Sequence, residues 1–114
     1  MKREYRDYIL DILDSINAIE SFVKGYTFEK FVNDKKTADA VIRNLEVIGE
    51  AVKNVPKEIK KKYSEIPWKE MAGMRDKLIH EYHGVDLEIV WEVIIKRLPN
   101  LKPLFEKIIR EIEK

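Results

Sequence analysis

The sequence predicts an all-α fold, an antiparallel bundle of four main helices with short extra helices, and three observations predict it. Apolar residues recur at three- and four-residue steps through nearly all of the 114 residues. No stretch holds the two-residue alternation of a half-buried strand. The glycines and prolines, four of each, fall mostly between periodic segments, where they punctuate helices. At this length the chain supports one continuous core and a single domain covering residues 1–114.

The first helix spans about residues 3–23, where Tyr5, Tyr8, Ile9, Ile12, Leu13, Ile16, Ile19, Phe22 and Val23 form one amphipathic stripe. Gly25 ends it. Thr27 caps a short second helix from Phe28 to Val32, and Asn33 or Asp34 offers the next N-cap. A long helix over about residues 35–55 carries Ala38, Val41, Ile42, Leu45, Ile48, Gly49 and Val52 on one face. Ala40, Val47 and Ala51 make a lesser second stripe, so this helix has two neighbours: either the core and a partner subunit, or two helices of one bundle. Pro56 and Pro67 fit the first turns of a short helix through about Tyr63 and of the helix that follows. Asp86 is a candidate N-cap for a helix with Leu87, Val90, Trp91, Ile94, Ile95 and Leu98 inward. Pro99 should break or kink it. Leu101 to Ile112 continues the periodicity, with Pro103 early enough to sit at a new helix start.

Composition narrows the function classes. Charged residues are 38% of the chain, yet acids and bases nearly cancel at a formal net charge of +1, so no bulk positive field attracts a polyanion. Any polyanion would be held by a local cleft. With no cysteine there is no disulfide framework and no thiolate metal site, which fits a reducing cytoplasm. Lys2, Arg3, Glu4 and Asp7 open the chain without an apolar export segment, and no run is apolar enough for a membrane, so a cytoplasmic, membrane-free protein is expected. A Gly-rich phosphate loop, a paired metal-ligand motif on one helix face and a Ser-His-Asp order are all missing, and no cofactor or metal is expected.

The chemistry concentrates between Met71 and Gly84. There Arg75, His80 and Tyr82 form the spacing Arg-x4-His-x-Tyr. At about 100° per residue, Trp68, Met71, Ala72, Met74, Leu78, Ile79 and Tyr82 share a broad apolar arc with Arg75 near its middle. A guanidinium cannot shed its proton, so at an apolar interface it needs a carboxylate, a ligand anion or a wet cleft. Glu46 and Glu50 on the preceding long helix are the nearest plausible carboxylates, and Asp76 stands beside Arg75. His80 lies roughly 140° from Arg75 on an ideal helix, so the two converge only if the helix unwinds near Glu81 to Gly84 or a second chain completes the site. Taken alone, His80 is a polar residue at a helix end, Arg75 an ion-paired structural cation, Tyr82 a packing residue and His83 a surface residue.

The longer strings change that balance. Gly73-Met74-Arg75-Asp76-Lys77-Leu78-Ile79-His80-Glu81-Tyr82, followed by Val85-Asp86-Leu87-Glu88-Ile89-Val90-Trp91, closely resembles the HepT-like branch of the HEPN superfamily. Ile42-Arg43-Asn44-Leu45-Glu46-Val47-Ile48-Gly49-Glu50-Ala51 resembles the same family's second helix, and the likeness runs over almost the whole chain. The resemblance implies the HEPN fold and a metal-independent endoribonuclease, the toxin of a two-gene module, acting on mRNA or tRNA. It implies catalysis by Arg75 and His80 in the cleft of a homodimer or larger assembly; by their position near Arg75, Glu46 and Asp76 are the residues expected to support it. It also implies that a cognate nucleotidyltransferase antitoxin, MntA, transfers AMP units to Tyr82. A non-catalytic HEPN partner holding nucleotide or substrate for a separate nucleotidyltransferase is the alternative, and a helical interaction protein is a third.

Overall fold

The computed structural model describes residues 3–80 and 84–114, and every regular element among them is helical. Helix α1 (Tyr5–Phe22) begins at Glu4, where a capping box with Asp7 satisfies the first free N–H groups. After it the chain reverses at Gly25, whose φ of 76° lies in the left-handed region that a side chain disfavours. Helix α2 (Phe28–Val32) is capped by the Thr27 hydroxyl, as its sequence predicts.

Helix α3 (Lys35–Asn54) starts at Asp34, which accepts from the Thr37 N–H and is itself gripped by the Tyr26 hydroxyl at 2.7 Å. Helix α4 (Lys57–Lys62) follows Pro56, and helix α5 (Trp68–His80) follows Pro67. Each proline stands just before the first helical residue, where its missing N–H costs nothing.

Helix α6 (Leu87–Glu92) is capped by Asp86, which accepts from the N–H groups of Glu88 and Ile89. It runs through a wide π turn (Val93–Arg97) into helix α7 (Leu98–Ile112). The expected break at Pro99 is thus a bulge one turn earlier. Pro99 has no N–H to donate in an α-helical ladder, and the Leu98 N–H reaches five residues back to the Val93 carbonyl. The extra residue shifts the angular register. Ile94 and Leu98 stay inside, whereas Ile95, expected inward, is 51% exposed. Pro103 lies inside α7 and not at its start, because the helix already begins at Leu98.

The four main helices are therefore α1, α3, α5 and the α6–α7 rod. Helix α3 packs along α1 on one side and α5 on the other, and α7 closes against α1. Ile9, Ile12, Ile16 and Ile19 of α1, Val41 and Val52 of α3, and Phe105 and Ile108 of α7 are sealed from solvent in one core. Burying each such side chain contributes about 1.5–3 kcal/mol. Helix α3 has two neighbours within the chain, α1 and α5; of its second stripe Ala51 is buried, whereas Ala40 and Val47 are half-exposed. No helix among the described residues is long and apolar enough to cross a membrane.

Candidate functional site

The site is built where α3 and α5 touch most closely. Gly49 makes this contact possible, since a Cβ placed there would stand 2.1 Å from the Cβ of Arg75. A hydrogen in place of a side chain lets the motif helix lie directly on α3 at that point. Leu78 is buried one turn later, and Met71, Ala72 and Met74 pack at the edge of the core. The apolar arc of α5 is thus pinned, and Arg75 is carried to the rim of the α3–α5 seam.

There the guanidinium meets two carboxylates. Its Nη2 lies 3.1 Å from Oε2 of Glu50, and its Nη1 donates to Oδ1 of Asp76 at 3.2 Å. The same Asp76 oxygen accepts from Nζ of Lys53 at 2.5 Å. Lys53 and then Arg75 hold the Asp76 carboxyl below its ordinary value of 3.8, since both favour the charged form. Glu50, Arg75, Asp76 and Lys53 make an alternating chain of charges across the two helices. The Arg75 side chain is 29% exposed, enough to present its guanidinium to a ligand and too little to leave it free to wander.

Of the two α3 carboxylates expected near Arg75, Glu50 makes the ion pair. Glu46, one helical turn earlier, instead faces Arg43 at 3.9 Å, so its support for Arg75 is at most indirect. It nevertheless lines the same cleft, of about 380 Å³, which also takes in Arg3, Tyr8, Arg43, Glu50 and Arg75. Arg3 lies over the Tyr8 ring at 4.8 Å and pairs with Asp11 at 2.8 Å. The cleft is open and of mixed charge. A larger groove of about 430 Å³ is lined mainly by Leu45, Ile48, Met71, Met74, Leu101 and Leu104. Arg75, Glu50 and Asp76 do not line that groove, whereas Arg75 and Glu50 line the smaller cleft.

His80 is the last residue of α5, five positions along the same helix from Arg75. Its side chain lies outside the described residues, as do Tyr82, His83 and the expected unwinding over residues 81–83. Asp76 and His80 are one turn apart on the same helix face, whereas Arg75 points along another. Among the described residues no group of three His, Asp or Glu stands close enough to hold a metal ion. Lys53 and Gly49 are the parts of the site whose role the sequence did not disclose. Their only trace was helical spacing: Gly49 on the inner face of α3, and Lys53 three residues after Glu50.

A helical bundle that aims an ion-paired arginine from an Arg-x4-His helix into an open cleft defines a class, and comparison with known proteins agrees. The model of the ribonuclease HepT-like family matches residues 12–108, and the chain belongs to that family. It is 53% identical to "Probable ribonuclease HepT" of Thermococcus cleftensis, over 95% of this chain and 98% of that one. A protein of Methanocaldococcus jannaschii named as a "Putative RNase" is 52% identical, over 98% of this chain and 97% of the other. One of the same description from Caldanaerobacter subterraneus subsp. tengcongensis is 50% identical, over 93% and 95%. No solved structure matches the chain.

Proposed function

We propose that the protein is a metal-independent endoribonuclease that uses the substrate's own 2′-hydroxyl as nucleophile. The observation that carries this reading is the Arg75 guanidinium, a permanent cation held by Glu50 and Asp76 at the edge of an open cleft. RNA supplies both the nucleophile and the leaving group. His80 takes the proton of the 2′-hydroxyl, whose oxygen attacks the adjacent phosphorus. Charge builds on the non-bridging phosphoryl oxygens, where the permanent cation of Arg75 meets it. The bond to the 5′-oxygen breaks, that oxygen takes a proton from water while His80 returns its own to solvent, and the products are a 2′,3′-cyclic phosphate and a 5′-hydroxyl. An imidazole suits the proton transfers because its ordinary pKa is near neutrality. DNA, lacking the 2′-hydroxyl, is inert in this scheme.

Helical geometry sets Arg75 and His80 on different faces of α5, and a homodimer with two motifs across one cleft would let one chain's arginine serve the other's histidine. Regulation follows from Tyr82. AMP units carried to its hydroxyl by a cognate MntA-like nucleotidyltransferase would place phosphate charge two residues from His80 and repel the RNA backbone. In that setting the protein is the cytoplasmic toxin of a two-gene module that acts on mRNA or tRNA.

The test is incubation of purified protein with tRNA or mRNA in the presence of a chelator. The expected result is cleavage by the wild type and its loss, by two or more orders of magnitude, in Arg75→Ala and His80→Ala proteins that keep their helicity and assembly state. Intact RNA at micromolar protein would favour the non-catalytic partner. For the regulatory step, intact mass after co-expression with the nucleotidyltransferase should rise by whole AMP units in the wild type and stay constant in Tyr82→Phe.

A further inference from the structure

The charge chain at the α3–α5 seam contains a cation that the cleavage scheme leaves unused. We propose that Lys53 is a second phosphate ligand, and that Asp76 occupies the place a substrate phosphate takes between Lys53 and Arg75. This rests on the reading of the protein as an RNA-cleaving enzyme.

Lys53 and Arg75 come from different helices yet converge on a single oxygen, Oδ1 of Asp76, at 2.5 and 3.2 Å. Two cations that share one acceptor oxygen stand within about 6 Å of each other, close enough for one anionic group to answer both. A phosphate with two non-bridging oxygens does the same with better geometry. One oxygen accepts from Nη1 of Arg75, which Asp76 leaves, and the other from the ammonium of Lys53, which acts as a point charge with rotatable donors. The Lys53–Asp76 pair is half-exposed, and pairs in such settings are weak, so exchange of one anion for another meets little resistance. Glu50 remains on the opposite terminal nitrogen of Arg75 and keeps the guanidinium in place during that exchange.

Position along α5 adds a reason. Residue 80 stands one helical turn beyond Asp76 on the same face, whereas Arg75 is directed along another. Lys53, by reaching Asp76, puts positive charge on the face that leads to position 80. An RNA backbone crossing from Arg75 towards that position meets Lys53 on the way. The near-zero net charge of the whole chain makes such local placement the means by which a polyanion is held.

Binding to a short single-stranded RNA with every ribose 2′-O-methylated, and so without a nucleophile, tests the inference apart from cleavage. Affinity is followed by fluorescence anisotropy between about 50 and 200 mM salt, a range over which phosphate contacts reveal themselves through counterion release. Lys53→Ala should bind about tenfold more weakly at the low-salt end, and the slope of log affinity on log salt should shrink by about 0.7. Lys53→Arg should keep the wild-type slope. Asp76→Asn, which retains both cations and removes the competing carboxylate, should bind as tightly as the wild type or more so. An unchanged slope in Lys53→Ala would overturn the inference and leave the enzyme reading untouched. Asp76→Asn binding as weakly as Lys53→Ala would also overturn it, because the pair would then be scaffolding for Arg75. Failure of the wild type to bind the methylated RNA would remove the RNA reading itself, and the first titration separates that case from the others.

Discussion

Gly49 is the residue on which the site depends most tightly for its shape. Gly49→Ala forces a methyl group against the Arg75 side chain, and we expect a loss of about 1–3 kcal/mol in chemical denaturation, with cleavage impaired because Arg75 is pushed from the seam. The sequence located Arg75 and two candidate partners. It could not choose between Glu46 and Glu50, since both stand on the helix before the motif and only the angle between α3 and α5 decides which one reaches. Lys53 was invisible for a related reason: a lysine on an exposed helix face looks like any solvated charge until a neighbouring helix brings Asp76 to it. Single residues also set the pH range of the fold. Asp34 is held below its ordinary 3.8 by Tyr26 and then Thr37, and Glu111 below its ordinary 4.5 chiefly by the Tyr63 hydroxyl. A carboxylate with a depressed folded-state pKa stabilises the fold fully above its ordinary value and ceases to do so as pH falls through the shifted one. Thermal melts should therefore be flat from neutrality to about pH 5 and fall below about pH 4, and Glu111→Gln should lessen that fall. Tyr63 moves in the other sense. Burial, with the bond to Glu111, pushes its phenol up to about 12, so its contribution persists below the ordinary 10.0 and is lost as pH rises through 12. An absorbance titration should show one tyrosine of the five ionising late, and Tyr63→Phe should remove that late component.

Elements follow from local signals where the signal is local. Thr27, Asp34 and Asp86 each accept from the backbone at the helix start that their side-chain type and position predict. Asp34→Ala should lower the melting temperature by a few degrees, since it removes both the cap of α3 and the tie to Tyr26. The π turn was not legible. Pro99 announces a disturbance, but whether a helix breaks, kinks or widens depends on what continues to pack beyond it. Here Leu98 just before the proline and Phe105 and Ile108 beyond it remain buried, and their burial holds α6 and α7 in one rod while the backbone takes up the misfit over Val93–Arg97. Exposure of Ile95 is the visible consequence of that extra residue.

The whole molecule is one core that four helices share, and the seam that carries Arg75 lies on its surface. Phe105 shows how the two connect. Its ring is fully buried and meets Trp68, the first residue of the motif helix, edge to face at 5.6 Å. Phe105→Ala should cost about 3–5 kcal/mol and loosen the start of α5 along with the core. At this scale the fold was the most legible property of all, because periodic burial along each helix is a repeated signal that no single residue has to carry. The site was legible only through a short motif whose Arg75 and His80 fall on two faces of α5, with Glu50 and Lys53 supplied by α3. The account as a whole requires that RNA cut itself at a phosphate held by Arg75, and the ends of the cut strands report this most directly. Mass analysis of the products made in the presence of a chelator should find 2′,3′-cyclic phosphate paired with 5′-hydroxyl, and a single 2′-deoxy substitution at the cut position should abolish cutting there. Cleavage that survives that substitution, or fragments ending in 5′-phosphate, would contradict it.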